Sequence, residues 1–198
     1  MPRILICRHG NTFDKGDIIR RVGARTDLPL SSSGRAQAEQ LAAHLSGQFE
    51  FKTAYCSPLL RTRETAQAIL KAHEAALTTL PFLTEIDYGV DEGKAEREVI
   101  ARLGREAIAL WDSTAVPPQG WQVDPDALRG AWAEFFKAHE SYEDDILLVT
   151  SNGIARFVLD VVSGVSKDTP RKLRTAAFGV ISLEAGEAKL LSWDARSA

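Results

Sequence analysis

Two apolar runs of four residues give the strongest strand signals in the chain. Ile4-Leu5-Ile6-Cys7 and Ile146-Leu147-Leu148-Val149 show no alternation with polar residues, so each predicts a strand buried on both faces of a parallel sheet. Less continuous segments predict three more strands. The predicted strands span 3–7, 52–56, 146–150, 178–184 and 188–193, the last two forming a hairpin around Ala185-Gly186.

Apolar positions three and four residues apart predict helices between these strands. Ser31 is the expected N-cap of the first helix, and Gly47 ends it. Ser57 is expected to cap the second helix and Pro58 to fix its first turn, which places Arg61 near a helix N-terminus that favours anions. The predicted helices run from Ser31 to Gly47 and over 58–73, 96–112, 125–139 and 154–163.

Alternating strands and helices predict an α/β fold, with a three-layer αβα sandwich around a mainly parallel central sheet. The chain has 198 residues, of which 44% are hydrophobic and 26% are charged, enough for one substantial core. We therefore expect a single domain over 1–198, with a helical lid or insertion at about 94–145.

Charge and cysteine usage exclude several function classes. The formal net charge of -3 provides no large basic surface, so we expect binding to neither nucleic acid nor membrane. Cys7 and Cys56 fall in predicted buried strands without metal-ligand spacing, which fits core side chains in a reducing cytosol. The start, Met-Pro-Arg-Ile, is too short for the apolar part of a signal peptide, and no run of about 18 apolar residues occurs. The expectation is a soluble cytoplasmic protein.

Polar residues follow both apolar runs where the predicted strands end. Arg8-His9-Gly10-Asn11-Thr12 follows the first run, and Thr150-Ser151-Asn152-Gly153 follows the second. Open α/β sheets bind ligands in the crevice beyond the carboxyl ends of their strands. An arginine and a histidine together at such an end predict a site that handles phosphate.

The segment Arg8 to Thr12 is the first of four whose order and spacing extend over nearly the whole chain. The others are Asp27-Leu28-Pro29-Leu30-Ser31 with Gly34, Gln37 and Ala38; Ser57-Pro58-Leu59-Leu60-Arg61 with Thr65 and Ala66; and Leu83-Thr84-Glu85-Ile86-Asp87-Tyr88-Gly89 with Glu92-Gly93. Together they resemble the histidine phosphatase superfamily in its phosphoglycerate mutase-like branch. The resemblance implies the phosphoglycerate mutase-like form of the αβα fold.

The resemblance also implies roles for individual residues. His9 would attack phosphorus as a neutral imidazole and form a phosphohistidine, and Glu85 would be the general acid. The scheme requires no metal and no cofactor. The residues implied around the substrate are Arg8, Arg61, Asn152, Asn11 and Gly153 for phosphate binding, with Thr12, Lys15 and Arg21 as further candidate contacts.

Asn152 departs from the pattern of this family. The resemblance implies a second histidine at this place, and an asparagine amide offers neutral donors where imidazolium would offer a charged one. Lys15 stands where the family usually has an asparagine, six residues past the nucleophile, and a lysine there could restore a positive charge.

Three functions remain open on this evidence. The first is a metal-independent phosphomonoester hydrolase acting through phospho-His9, slow or narrowly specific because of Asn152. The second is a non-catalytic phosphate-binding or interaction protein of the same fold, and the third is a phosphoglycerate mutase. All three have a small phosphorylated metabolite as partner, and a homodimer is possible.

Other chemistry-bearing residues have simpler interpretations. His44, His73 and His139 lie on predicted helices without partners at ligand spacing, so we interpret them as structural or solvent-facing. The basic residues Arg20, Arg21 and Arg25 are either a solvated run or contacts to an anionic part of the substrate. For Trp111 core packing is favoured over stacking on a ligand.

Overall fold

A six-stranded sheet forms the centre of the molecule in the computed structural model, which describes residues 3–184 and 186–197. The strand order is β3-β2-β4-β1-β5-β6; strands β1 to β4 are mutually parallel, and β5 and β6 are antiparallel additions. The strands are β1 Arg3–Arg8, β2 Phe51–Cys56, β3 Ala76–Thr79, β4 Asp145–Thr150, β5 Phe178–Glu184 and β6 Glu187–Ala195.

Helices cover both faces of this sheet. They are α1 Ser32–Leu45, α2 Leu60–Leu70, α3 Glu96–Leu103, α4 Arg105–Thr114, α5 Pro125–Ala138 and α6 Asn152–Ala155, which continues as a 3₁₀ turn over Arg156–Asp160. One core cluster packs α1 and α2 against Leu5, Cys7 and Leu147, and a second packs Trp111, Trp132 and Phe157 against Ile4, Ile6 and Leu148. The predicted αβα sandwich with a mainly parallel sheet is therefore confirmed.

The two apolar runs lie side by side. In β1 and β4, Arg8 pairs with Thr150, so both strands end at the same edge of the sheet. Residues of the two runs are completely buried, as strands covered on both faces must be. His9 and Ser151 consequently leave the sheet as neighbours, although 142 positions separate them in sequence.

Three predicted helices need correction. The helix predicted over 96–112 is broken into α3 and α4 by Gly104, whose φ of 82° is incompatible with a continuous helix. Ser57 does not cap α2: the N–H of Leu60 donates to Asp27 Oδ1, and α2 ends at Leu70. The helix predicted over 154–163 starts earlier, at Asn152, and is a short helix followed by the 3₁₀ turn.

The remaining local features are a confirmed helix cap, a strand that was not predicted, and a hairpin tip outside the described residues. Ser31 caps α1 by accepting the Gly34 N–H. Strand β3, mostly exposed, lacks the periodicity needed to predict it from sequence. Ala185, at the tip of the predicted hairpin, lies outside the described residues. Across the described chain, no helix is sufficiently long and apolar to cross a bilayer.

Candidate active site

His9 lies immediately after β1, where its N–H donates to the carbonyl oxygen of Thr150 in β4. Its Nδ1 is 2.7 Å from the Gly10 carbonyl oxygen. Because a carbonyl only accepts hydrogen bonds, Nδ1 must carry the proton, and Nε2 is left with its lone pair. Burial, followed by the positive charges of Arg61 and Arg8, holds the pKa of His9 well below its ordinary value. The imidazole is therefore neutral at neutral pH, as a nucleophile requires.

The acceptors around Arg8 and Arg61 use only part of the donors of each guanidinium group. Arg8 Nη1 donates to the Leu173 carbonyl oxygen at 2.9 Å, and Arg61 Nη1 donates to that of Thr26 at 2.8 Å. The Nε atoms of both arginines are buried without a hydrogen-bond partner in the described part of the chain. Burial lowers the pKa of both groups. Unused donors of charged groups in such a setting are suited to an anionic ligand.

The side chain of Arg61 has no exposed surface and depends on the loop before α1. Besides Thr26, this loop supplies the Gly23 carbonyl oxygen, which accepts from Arg61 Nη2 at 3.2 Å. Glu92 in turn holds the loop: its Oε1 accepts from the Gly23 N–H at 2.9 Å and from Thr26 Oγ1 at 2.7 Å. Sequence reasoning placed Glu92 in a motif but gave it no role, because the contact spans 66 or more positions.

Glu85 is held against the start of α6. Its Oε1 accepts from the Ile86 N–H at 2.9 Å, and its Oε2 accepts from the Gly153 N–H at 3.3 Å. A Cβ atom on residue 153 would lie 2.1 Å from Glu85 Oε1, so only glycine permits this approach. The Gly153 N–H is thus directed at the carboxylate, and its predicted contact with phosphate stays a prediction.

The two asparagines of the predicted site are oriented by hydrogen bonds. Asn152 is buried, and its Oδ1 accepts from the Leu173 N–H at 2.8 Å. The Asn11 main-chain N–H donates to Gln37 Oε1 at 2.9 Å, and its Nδ2 donates to Ser33 Oγ at 3.3 Å. The side chain of Asn11 is therefore directed towards the start of α1, although the residue still lines a cavity beside His9.

Two adjoining cavities open beside His9 and share Arg8, Ile19, Arg20 and Val22. The Glu85 cavity has a volume of about 280 Å³ and is also lined by Glu85, Tyr88, Trp111, Asn152 and Arg156. The Lys15 cavity has a volume of about 480 Å³ and is also lined by Asn11, Thr12, Phe13, Lys15 and Thr175. Thr12 and Lys15 therefore line a cavity beside His9, but not the one that Glu85 lines.

Arg21 lines the Glu85 cavity but is already paired. Its guanidinium forms an ion pair with Glu96 of α3 and lies 5.1 Å from the centre of the Trp121 ring. Arg25 pairs with Asp87 at 3.0 Å. The basic loop is thus attached to the segment that leads into α3, more firmly than a solvated run would be. The segment predicted as a helical lid or insertion, at about 94–145, contributes Glu96, Ile108, Trp111 and Asp112 to this cavity, and its role as a lid stays a prediction.

A family model described as "Histidine phosphatase superfamily (branch 1)" matches residues 4–196. The chain belongs to the histidine phosphatase superfamily. Among curated relatives, the mouse fructose-2,6-bisphosphatase TIGAR is 34% identical over 139 residues, which cover 66% of this chain and 49% of the mouse protein. A 2,3-bisphosphoglycerate-dependent phosphoglycerate mutase from Bartonella bacilliformis is 26% identical, with 83% of each chain covered. The chain thus spans about half the length of the first relative and most of the second.

Solved structures show that this member of the superfamily has the expected fold. A mycobacterial glucosyl-3-phosphoglycerate phosphatase, solved as a complex with VO3, superimposes with a TM-score of 0.81 at 18% identity, covering 98% of this chain and 100% of the other. Bacillus stearothermophilus YhfR gives a TM-score of 0.80 at 20% identity, covering 98% and 97%. At such identities the agreement concerns the fold alone.

Tyr88 and Arg156 are additional residues of the candidate site that sequence reasoning missed. Arg156 is buried, and its guanidinium carbon lies 4.0 Å from the centre of the Trp111 ring. Its Nε donates to the Asn152 carbonyl oxygen at 3.2 Å. Its position four residues after Asn152, one helical turn, was the available signal. Burial raises the pKa of Tyr88, which keeps its hydroxyl protonated as a donor.

The remaining histidine, tryptophan and cysteine residues singled out in the sequence have mostly structural roles. His139 is buried, with its Nε2 2.9 Å from Tyr55 Oη, which supports its structural interpretation. Trp111 packs in the core and also lines the Glu85 cavity. Cys7 and Cys56 are buried in the sheet, and burial raises the pKa of Cys56 to about 11. No group of three or more His, Cys, Asp or Glu side chains suited to a metal occurs in the described ranges.

Proposed function

We propose that this protein is a phosphomonoester hydrolase that acts through a phosphohistidine formed on His9. The observation that carries the proposal is the state of His9: the Gly10 carbonyl fixes the proton on Nδ1, and burial, together with the positive charges of Arg61 and Arg8, keeps the ring neutral. A neutral Nε2 beside two charged donors is the arrangement that phosphoryl transfer needs, since the transferring group carries its charge on oxygen atoms.

In the first half of this reaction, Nε2 of His9 bonds to phosphorus as the bond to the ester oxygen breaks. Arg8 and Arg61 stabilise the charge on the equatorial oxygens. Glu85, in its protonated form, gives its proton to the leaving oxygen. In the second half, water attacks the phosphohistidine, and the Glu85 carboxylate takes up the proton of that water. The cycle releases inorganic phosphate and restores His9, and none of its steps uses a metal.

The substrate of the proposed hydrolase is a small phosphorylated metabolite. The Glu85 cavity, at about 280 Å³, has room for a compact leaving group, and the adjoining Lys15 cavity adds space beside His9. Its lining mixes charged residues such as Arg20 and Glu96 with the ring of Trp111. We place the activity in the cytoplasm, since two buried free thiols suit a reducing compartment.

The proposal is tested by replacing the nucleophile. His9→Ala should reduce the rate of phosphate release from p-nitrophenyl phosphate by at least about 10³-fold, the scale expected when a catalytic nucleophile is lost. His73→Ala is the matched control, because His73 contacts Phe51 at the opposite end of β2 and should leave the rate unchanged. Unchanged hydrolysis by His9→Ala would refute the proposal.

The covalent intermediate provides a second test. Glu85→Gln should slow the release of the alcohol, and mixing either this variant or the wild type with substrate should add a phosphoryl mass to the intact protein. The reaction must be quenched in denaturant at alkaline pH, because phosphohistidine hydrolyses in acid. Absence of this mass in an actively hydrolysing protein would contradict the phosphohistidine.

A non-catalytic phosphate-binding protein is the second candidate, and Asn152 is the observation that favours it. A neutral amide at a place where the family resemblance implies an imidazolium reduces the charge available to the transition state. Phosphate binding by a wild-type protein that hydrolyses no phosphomonoester would support this candidate. Turnover that is lost in Glu85→Gln would exclude it.

A further inference from the structure

Asn152 is connected to Arg8 through the main chain of a single residue, Leu173. The Leu173 N–H donates to Asn152 Oδ1 at 2.8 Å, and the Leu173 carbonyl oxygen accepts from Arg8 Nη1 at 2.9 Å. Leu173 is completely buried. Both polar groups of one buried residue are therefore satisfied by side chains of the active site, and losing either partner would leave a buried group without a hydrogen bond.

The segment that contains Leu173 needs such a connection. It lies between the 3₁₀ turn Arg156–Asp160 and β5, where the chain forms neither helix nor strand. No sheet or helix ladder therefore fixes the Leu173 main chain. Arg174 on one side of Leu173 is held by Asp194, and the side chain of Asn152, at the start of α6, restrains the Leu173 N–H itself.

The position of Leu173 determines how Arg8 is presented. A guanidinium group is planar, so fixing Nη1 also fixes the direction of Nε. Arg8 Nε is buried and has no partner among the described residues. With Nη1 held by Leu173, Nε and Nη2 are the nitrogens left for a phosphoryl oxygen beside His9.

We propose that Asn152 is a positioning residue for Arg8, acting through the Leu173 main chain. This inference rests on the proposed function. The carboxamide suits the role because its oxygen accepts the Leu173 N–H while its Nδ2 remains a donor at the Glu85 cavity. A protonated histidine at this place has two donors and no acceptor, so it cannot hold Leu173 in the same way.

The pH dependence of Asn152→His separates positioning from a charge effect. If residue 152 must accept the Leu173 N–H, the variant works only with a neutral imidazole. Its rate relative to wild type at each pH should then rise as the pH is raised through the ordinary histidine pKa of about 6.5. If a cation at this place is what the site lacks, the ratio should fall over the same range, and that result would overturn the proposal.

A double-mutant cycle on anion binding tests the route through Arg8. Asn152→Leu has a similar volume but accepts no hydrogen bond, and it should weaken vanadate binding about tenfold in calorimetric titrations. In an Arg8→Lys background, where the planar fork is already absent, the same substitution should cost less than about threefold. Equal losses in both backgrounds, or no vanadate binding by the wild type, would overturn the proposal.

The two experiments distinguish this proposal from the hydrolase itself. Coupled vanadate binding in a protein that hydrolyses no ester supports the role of Asn152 and removes the phosphatase. If the protein hydrolyses phosphomonoesters and the losses of vanadate binding in Asn152→Leu and Arg8→Lys are additive, the phosphatase is supported and the role of Asn152 is removed. Thermal unfolding of Asn152→Leu identifies a variant that fails to fold, and the Asn152→His profile then decides the matter.

Discussion

The proposed phosphate cradle and the cavity wall are held together in different ways. In the cradle, formed by Arg8, His9, Arg61, Glu85 and Asn152, each side chain is oriented by a main-chain N–H or carbonyl group. In the cavity wall, formed by Arg21, Glu96, Asp112 and Lys172, side chains pair with one another, as Lys172 does with Asp112 at 3.1 Å.

This difference has an energetic consequence. The main-chain groups of the cradle are held at the sheet edge or by further hydrogen bonds, as Glu92 holds Gly23 and Asn152 holds Leu173, so the cradle is organised before a ligand binds, which is the condition for electrostatic catalysis. Partly exposed ion pairs contribute little and are screened by salt, so the wall can rearrange around different leaving groups. The cradle is thus suited to the shared chemistry of phosphate, and the wall to substrate selection.

The largest effect should come from removing charge from the cradle. Arg61→Met should lower kcat/KM by about 10²- to 10³-fold, the usual cost of one transition-state donor. Because the charge of Arg61 helps to depress the pKa of His9, its loss should raise that pKa, and the acid limb of kcat/KM should move to higher pH. Arg61→Lys keeps the charge and should move the limb less; equal profiles in the two variants would contradict this account.

An intermediate effect should follow from displacing Glu85. Gly153→Ala places a Cβ against Glu85 Oε1 and should slow hydrolysis of an alkyl phosphate by about 10²-fold, the scale of general acid catalysis. The loss should be smaller with p-nitrophenyl phosphate, whose leaving group needs little protonation. Gly130→Ala on α5 is the matched control, since a Cβ there meets nothing within 4 Å. Equal losses for both substrates would argue against Glu85 as the acid.

The smallest effect should come from the cavity wall. Glu96→Gln removes the ion pair with Arg21 and should change KM by no more than about fivefold, in line with partly exposed pairs. The difference from wild type should shrink in high salt because the pair is screened. Glu39→Gln, which breaks an exposed pair with Lys71 outside both cavities, should leave KM unchanged. A change of two orders of magnitude in Glu96→Gln would show that the wall is organised like the cradle.

Sequence reasoning succeeded where the signal was local. The apolar runs predict β1 and β4 because burial on both faces requires continuous apolar residues, and the polar residues that follow them mark the sheet edge. The Ser31 cap is likewise a local signal, because the contact between Ser31 and the Gly34 N–H lies within four residues. The break at Gly104 was missed because apolar periodicity continues across it, and a single glycine inside a helical pattern is often tolerated.

The sequence alone determined the α/β sandwich, the superfamily, and the types of residue available to hold a phosphoryl group. Only the tertiary structure decided how they are oriented: Gly153 against Glu85, Glu92 beneath the loop that holds Arg61, and Leu173 between Asn152 and Arg8. These contacts join residues 21 to 165 positions apart, and the spacing of residues along the chain does not indicate them. Hydrogen bonds depend on the directions of donors and acceptors in space, which the packing of the sheet, helices and loops fixes only after folding.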